Sequence, residues 1–302
     1  MVDLQSTQPS HAPVNGGLQF PLSFDKWEKK QGLLYARQCN FSCVLDDKVY
    51  VSDSYSLFEY TPDTDTWVSL PTPTESHGLL SLNGKVALVS GKMKKSGNYS
   101  KEIHVRDGEG EQQWTTPYPK LQVARLNPGC ACYKHYLIVA GGHLETQSHH
   151  QSTDSVEVID TIDNRQYEAP AMPNSGRWIQ TVVIGETLYL LLIVQGVALS
   201  RSILRVSLPT LTSHATQGHV KSRYSNIWEK LQDVLFYNTT LFSIGNMLLT
   251  AGGSGGTVSG VLEKLHLKSS SPSADIYLFN PCLLYTSPSP RDATLSRMPS
   301  SA

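Results

Sequence analysis

The sequence predicts an all-β fold built from repeated units of four short strands. The first observation is an apolar run that ends in two glycines, residues 137–142, and returns at residues 247–253. Such a run predicts a buried strand that ends where another backbone passes closely. The second is a series of aromatic residues, each followed by an apolar run at a nearly constant distance: Trp27, Trp67, Trp114, Tyr167 and Trp228. The third is the abundance of turn formers, 22 glycines and 17 prolines in 302 residues.

The remaining strands of each unit follow from the sequence between an apolar run and the next aromatic residue. In residues 57–67, an alternating strand leads through a Pro-Asp turn to a second strand that carries Trp67. Similar third strands recur at residues 103–106, 156–159, 203–206 and 276–279, and weaker apolar runs occur at residues 48–52, 86–91 and 188–193. Four strands at a period near 50 residues are typical of propeller blades, and about five blades are recognisable.

The order of apolar run, glycine pair, variable loop, alternating strand, turn and tryptophan resembles the kelch repeat. The pattern Leu-x-x-Ala-Arg before a first strand, at residues 33–37 and 121–125, is also similar to that family. No Trp-Asp dipeptide is present, which argues against the WD40 variant. The resemblance covers residues 21–281 and implies a kelch-type β-propeller.

The two ends of the chain differ in composition from this region. Residues 1–20 are rich in Gln, Ser, Pro and Gly, and we expect them to be disordered. Residues 282–302 do not continue a blade and resemble a translated sequencing adapter, so we interpret them as a non-native tail. The alternative is a natural Ser/Pro-rich flexible tail. Because kelch propellers commonly have six blades, we expect an incomplete ring, a fragment with exposed strand edges.

Residues 220–234 carry two conflicting signals. Ile227, Leu231 and Val234 have the spacing of an amphipathic helix. Trp228, however, has the phase of the aromatic series and precedes an apolar run. We therefore favour a strand at Trp228.

Composition excludes several classes of function. A formal net charge of −1 provides no basic field for nucleic acid or an anionic membrane. Residues 1–17 lack the apolar stretch of a secretory signal, and no apolar run approaches the roughly 20 residues of a membrane span. Five cysteines without such a signal indicate reduced thiols and a cytoplasmic, or alternatively nuclear, protein.

Three groups of residues invite a ligand, but each has a simpler interpretation. Cys39, Cys43, Cys130 and Cys132 are soft zinc ligands, yet their spacing favours buried thiols on inner strands. A loop with His143, Glu145, His149 and His150 has metal-binding side chains, yet its composition favours a solvated insertion. The glycines of residues 252–256 match no phosphate-binding motif. We therefore predict no metal and no cofactor.

Arginines are the strongest candidates for contacts with a partner. Arg37 and Arg125 occupy equivalent positions before two first strands, and Arg177 follows in a comparable place. Equivalent loops of a propeller surround its channel on one face, where guanidinium groups suit the bidentate capture of an acidic peptide. The kelch resemblance implies such a role for arginines near this phase. The alternative is that they are structural and bond the carbonyls of neighbouring blades.

The most specific hypothesis is a protein–protein interaction module, acting as a scaffold or as the substrate-recognition part of something larger. The alternative is a propeller enzyme of the galactose-oxidase-like or sugar-modifying type, with its site at the channel mouth. No catalytic motif is visible, but propeller enzymes assemble their sites from distant loops. The sequence predicts no catalytic residue and leaves the oligomeric state open.

Overall fold

The computed structural model describes residues 31, 41–107, 113–145, 151–194, 201–218, 227–234, 240–244, 247–251, 263–265 and 276–279. The predictions for residues 1–20, 252–256 and 282–302 lie outside these ranges. So do those for Trp27, Arg37, Cys39, His149 and His150. Within the described residues, nearly all regular structure is β-strand, as predicted.

The strands form five antiparallel sheets in chain order, joined by two short ribbons. Sheet 1 contains β1 (Phe41–Leu45), β2 (Lys48–Ser52), β3 (Leu57–Thr61) and β4 (Thr66–Leu70). The first ribbon pairs β5 (Thr74–Glu75) with β8 (Lys92–Met93), around sheet 2, which contains β6 (Gly78–Leu82), β7 (Lys85–Val89) and β9 (Ile103–Asp107). The second ribbon pairs β10 (Arg125–Leu126) with β13 (His143–Leu144), around sheet 3, which contains β11 (Gly129–Tyr133), β12 (Tyr136–Ala140), β14 (Val156–Asp160) and β15 (Arg165–Ala169).

Sheets 4 and 5 complete the described fold. Sheet 4 contains β16 (Gly176–Ile184), β17 (Thr187–Val194), β18 (Arg201–Ser207) and β19 (Trp228–Val234), with the helix α1 (Leu208–Thr216) inserted between β18 and β19. Sheet 5 contains β20 (Thr240–Ile244), β21 (Met247–Ala251), β22 (Glu263–Leu265) and β23 (Ile276–Phe279) in the order β20-β21-β23-β22. The outer strand of sheet 5 therefore precedes its third strand in the chain, an arrangement that the repeat does not predict.

Consecutive sheets pack face to face through apolar clusters, which is the arrangement of propeller blades. We name the interfaces 1/2, 2/3, 3/4 and 4/5 after the sheets that they join. Their central residues are Tyr50, Leu57, Leu79 and Leu88 in 1/2; Leu80, Val105, Leu137 and Val139 in 2/3; Ile138, Ile179, Leu190 and Leu204 in 3/4; and Tyr189, Leu191, Leu241 and Leu248 in 4/5. The inner strands β1, β6, β11, β16 and β20 contact one another in this order. The all-β propeller predicted from the repeats is confirmed.

The aromatic series of the sequence joins one sheet to the segment that follows the outer strand of the sheet before it. The indole nitrogen of Trp114 donates to the Pro71 carbonyl at 2.8 Å, and that of Trp228 donates to the Pro170 carbonyl at 3.0 Å. Trp67 donates in the same way to the Gln31 carbonyl at 2.8 Å. The tryptophan phase is therefore regular because each of these indole N–H groups supplies a hydrogen bond between repeats.

The glycine pair behaves as the sequence predicts. Gly141 and Gly142 have φ values of +57° and +106°, which favour glycine. A Cβ on Gly142 would come within 2.8 Å of the Leu126 carbonyl oxygen. The Gly142 amide instead donates to the Gly176 carbonyl at 3.0 Å, which links sheet 3 to the start of β16.

The structure resolves the conflict at residues 220–234 in favour of the repeat, since Trp228 begins the strand β19. The helix lies earlier, at Leu208–Thr216, where the sequence patterns above did not predict one. Its signals are Ser207, whose hydroxyl caps the helix at the Thr210 amide, and a proline in the first turn. Leu208, Leu211 and Ala215 join the 3/4 cluster. Among the described residues, no helix has the length and apolar character needed to cross a membrane.

Candidate functional site

In each sheet, one segment precedes the first, inner strand and another follows the second strand. All the described segments of these two kinds lie at one end of the propeller. We call this end the loop face: residues 53–56, the two ribbons and residues 175–178. These segments meet because antiparallel neighbours place the start of the inner strand beside the end of the second strand, as in the pairing of Gly129 with Ala140. Arg125 and Arg177 both belong to this end of the molecule. The loop face is therefore where the predicted contacts must be judged.

Arg125 is fully buried, with 0% of its surface exposed. Its guanidinium donates to the carbonyl oxygens of Gly141 at 3.1 Å and Ser155 at 3.0 Å, and it forms an ion pair with Glu157. Its own amide donates to the Ser90 hydroxyl at 2.9 Å, across the 2/3 interface. The structure therefore gives Arg125 the structural role that the sequence left as an alternative, and its position does not support contact with a partner.

Glu157 completes this buried network. Its carboxylate accepts from the amides of Gln122 at 2.7 Å and Val123 at 3.2 Å, and from the side chain of Gln166. Burial lowers the pKa of Arg125, and the Glu157 carboxylate opposes that shift. A guanidinium remains charged in proteins. The guanidinium therefore stays charged, and each carboxylate oxygen of Glu157 has a donor.

Arg177 is only half-buried and does not share the register of Arg125. Arg125 lies opposite Leu144 in its ribbon, whereas Arg177 lies opposite Ile193 within sheet 4. Ile193 is in turn opposite Arg201, so the two arginines flank one isoleucine on the side of sheet 4 that faces sheet 5. Arg177 thus remains a candidate contact, although the equivalence proposed from the sequence is wrong in detail.

Trp178 is a loop-face residue that the sequence patterns did not single out. It lies in a β-bulge of β16, between Arg177 and Gln180, with φ at +53° and 36% of its surface exposed. A positive φ is a true outlier for a bulky residue, and bulges often redirect a side chain at functional sites. One signal was available, because Trp178 is a tryptophan outside the phase of the aromatic series.

The proposed metal ligands do not gather among the described residues. Cys43, Cys130 and Cys132 are free thiols, and burial raises the pKa of both Cys43 and Cys130 to about 12. His143 lies in β13 and Glu145 directly after it. In the part of the chain that the structure describes, no three His, Cys, Asp or Glu side chains are placed to hold an ion.

A serine–histidine pair also lies at the loop face. The Ser52 hydroxyl is 2.9 Å from Nε2 of His77, which is the geometry of a nucleophile and its base. Both side chains are buried, at 0% and 1% exposure, so a substrate has no path to the hydroxyl. This pair connects sheet 1 to the segment before sheet 2 rather than forming an accessible catalytic dyad.

Comparison with known proteins agrees with this architecture. Residues 124–173 match the family described as Kelch motif, a segment that runs from β10 to the loop after β15. A 111-residue stretch, 35% of this chain, is 27% identical to Kelch-like protein 35 of Mus musculus. That stretch covers 19% of the mouse protein, so the chain spans a minor part of this relative. The motif and the packed sheets together support a propeller built from kelch repeats.

The chain is a kelch-repeat propeller. The matched segment of this kelch propeller contains Arg125, the glycine pair 141–142, Glu157 and Tyr167. The buried ion pair therefore lies within the matched segment. Arg177 and Trp178 come after it, where β16 bulges, and they belong to the next blade. In this kelch propeller, Arg125 and Glu157 are buried between blades, whereas Arg177 and Trp178 are partly exposed to solvent on the next blade.

Proposed function

We propose that this kelch propeller binds a protein partner at the loop face, through an acidic segment that contacts Arg177 and Trp178. The observation that carries the proposal is the exposed tryptophan held at positive φ beside a half-buried arginine. Tryptophan and arginine are among the residues most enriched at energetically dominant interface positions. A guanidinium beside an indole suits a carboxylate next to an apolar side chain.

The charge at this end of sheet 4 supports an acidic partner. Arg177 and Arg201 lie in one cross-strand row with Ile193 between them. Burial lowers the pKa of Arg201, but an arginine stays protonated. Arg37 stands four residues before Phe41, as the buried Arg125 stands before Gly129; it lies outside the described residues and stays an untested candidate. Under this proposal the protein acts as a scaffold or a substrate-recognition module in a reducing compartment.

The first test maps contacts with peptides that stand in for the partner. A photo-crosslinking amino acid replaces Trp178 in one variant and Val68, an exposed residue of the outer strand β4, in a control variant. Each variant is incubated with an immobilised library of acidic, neutral and basic peptides. We expect crosslinks at position 178 to concentrate on acidic peptides. Equal crosslinking at both positions, or no preference for acidic peptides, would overturn the proposal.

The second test separates binding from stability. Arg177→Glu should abolish capture of the selected peptides while changing the free energy of unfolding by no more than about 0.5 kcal/mol, as at most surface positions. Trp178→Gly should also lose binding, yet it should not destabilise the fold, because glycine adopts the positive φ without strain. If both variants retain wild-type affinity for those peptides, the loop face of sheet 4 is not the binding site.

A further inference from the structure

The positions occupied by the buried ion pair of sheet 3 have direct counterparts in sheet 2 with different chemistry. Arg125 stands four residues before Gly129, the first residue of its inner strand, and Thr74 stands four residues before Gly78. Val156 pairs with the last residue of β12, and Glu157 comes directly after it. In the same way, Ile103 pairs with the last residue of β7, and His104 comes directly after it. The pair Arg125–Glu157 in the 2/3 interface thus corresponds to Thr74 and His104 in the 1/2 interface.

The side chains of Thr74, in the first ribbon, and His104, in sheet 2, each have a polar atom without a hydrogen-bond partner within the described residues. Thr74 Oγ1 and His104 Nε2 are buried, in residues with 0% and 5% exposure, and neither forms a hydrogen bond there. A third such atom, Nη1 of Arg106, lies on the same strand as His104 and on the same side of it. Buried polar atoms without partners are costly and weaken the packing around them. The positions that hold the bonded Arg125–Glu157 pair in the 2/3 interface therefore carry polar atoms without hydrogen-bond partners in the 1/2 interface.

His77 links the two sides of the 1/2 interface through a hydrogen bond whose direction depends on the protonation of the ring. Its Nδ1 lies 3.1 Å from the Thr74 carbonyl, which only accepts, so Nδ1 carries a hydrogen. In the neutral ring Nε2 must then accept from the Ser52 hydroxyl, which belongs to sheet 1. The same hydroxyl lies 2.8 Å from the Asp53 carbonyl, and it has one proton for the two acceptors. Protonation of the ring would reverse the bond between His77 and Ser52.

The surroundings disfavour that added charge. Burial lowers the pKa of His77 to about 4 and also lowers the pKa of His104, so both rings are neutral at pH 7. Lys94, an exposed residue whose ammonium donates to the Thr72 hydroxyl at 2.6 Å, adds a nearby cation at His77. Glu102 Oε2, 3.6 Å from His104, is the compensating charge. The charged or titratable groups around the two rings are Asp53, Glu75, Lys92, Lys94, Glu102 and Arg106.

We propose that the 1/2 interface is a proton-sensitive joint, at which protonation of His77 and His104 releases sheet 1 from sheet 2 while sheets 2, 3 and 4 stay packed. The joint opens because two cations would be added where both rings are buried, whereas the Arg125 guanidinium in the 2/3 interface already has Glu157 as its counter-charge. Residues 53–56 and the first ribbon border the joint, so opening reshapes this part of the loop face.

Two native cysteines report the two interfaces separately. Cys43 packs in the 1/2 cluster and Cys130 in the 2/3 cluster. The full chain is labelled with 4,4′-dithiodipyridine, which reacts in acid as well as at neutral pH, and each thiol is quantified by tandem mass spectrometry. Rates are divided by those of the unfolded chain at the same pH. The quotient gives the opening equilibrium at each cysteine.

We expect the quotient for Cys43 to rise about 25-fold between pH 7.5 and pH 5, the factor for one histidine with a pKa of about 4 when buried and 6.5 when open. The quotient for Cys130 should change by less than about twofold. If both quotients rise together, acid unfolds the whole propeller and the joint does not exist. A quotient for Cys43 that is independent of pH would also overturn the proposal.

Histidine variants assign the effect. His77→Gln combined with His104→Gln removes both titrating rings, and the pH dependence at Cys43 should disappear. The matched control is His135→Gln, at a partly exposed histidine 3.6 Å from Asp160 in sheet 3, which should leave the dependence unchanged. A double variant that keeps the full pH dependence rejects these histidines as the cause. If the double variant does not fold, the wild-type quotients decide by themselves.

Discussion

The 2/3 and 3/4 interfaces join equivalent faces of consecutive blades, yet at the same position one contains a buried ion pair and the other an apolar residue. Glu157 of sheet 3 corresponds to Leu204 of sheet 4, since each pairs with the fourth residue of its second strand. Met172, Ile179 and Leu190 belong to the same apolar cluster as Leu204. The difference teaches that the backbone repeat dictates which face is buried, but not which chemistry fills it.

The largest expected effect comes from breaking the ion pair on one side. Glu157→Ala removes the carboxylate and leaves the Arg125 guanidinium buried without its counter-charge. We expect a loss of about 3–5 kcal/mol in the free energy of unfolding, because an uncompensated buried charge is strongly destabilising. Urea denaturation followed by tryptophan fluorescence measures this. A loss below about 1 kcal/mol would show that water reaches the guanidinium.

The matched control makes the 2/3 interface resemble the 3/4 interface. In Arg125→Met with Glu157→Leu both charges disappear together, and we expect stability within about 1–2 kcal/mol of wild type, since apolar replacements of buried pairs are often neutral or stabilising. The same urea titration applies. A double variant as unstable as Glu157→Ala would mean that the backbone bonds of Arg125, rather than its charge, hold the interface.

The apolar interface should respond to volume instead. Ile179→Ala deletes a fully buried side chain that packs against Gly129 and Gly141, and it should cost about 2–5 kcal/mol through lost burial and a cavity. Denaturation at pH 7 and pH 5 should give the same difference from wild type at both values. A pH-dependent difference would show that the 3/4 interface contains an unrecognised titrating group.

We expect the 1/2 interface to add a pH dependence through His77. The pKa of His77 is about 4 in the folded chain and about 6.5 when unfolded, so between these values the unfolded chain binds more protons. The contribution of neutral His77 to the free energy of unfolding is therefore complete above pH 6.5 and is lost as pH falls toward 4. From pH 7 to pH 5 this amounts to about 2 kcal/mol. The measured quantity is the difference in urea stability between wild type and His77→Gln at each pH, and equal slopes would contradict it.

The smallest effect concerns the bonds between repeats. Trp228→Phe keeps a large ring in the 3/4 cluster but removes the donor to the Pro170 carbonyl. We expect a loss of about 1 kcal/mol, the usual worth of one neutral hydrogen bond. Thermal unfolding of Trp228→Phe measures this loss. The control is Tyr167→Phe, because Tyr167 is the position of the aromatic series that has no indole donor. An equal loss in both variants would mean that packing, not the indole bond, explains the series.

Much of the fold was predictable because its signals are local. Residues 48–52 are the strand β2, residues 137–140 lie in β12, and Trp228 begins β19 as the aromatic phase predicts. The helix at Leu208–Thr216 was missed because its short cap-and-proline signal lies where the repeat predicts a turn. The outer strand Glu263–Leu265 was missed because its place in sheet 5 comes from a pairing out of chain order.

The candidate site was less predictable. Arg125 was selected for its position in the repeat, but its role depends on Glu157, a residue 32 positions later that only packing brings to it. Trp178 was passed over because an exposed bulge has no sequence period. His77 and His104 had no motif at all, and they matter only because two sheets meet around them.

The sequence by itself determined the repeat, the buried faces and the glycine and tryptophan positions, because strand alternation, positive φ and a recurring hydrogen bond restrict residue type locally. The tertiary structure alone decided that Arg125 is structural, that Trp178 is exposed, and that the three interfaces differ in charge. These outcomes depend on contacts between residues distant in the chain, where burial and partner identity set the energy of a polar group.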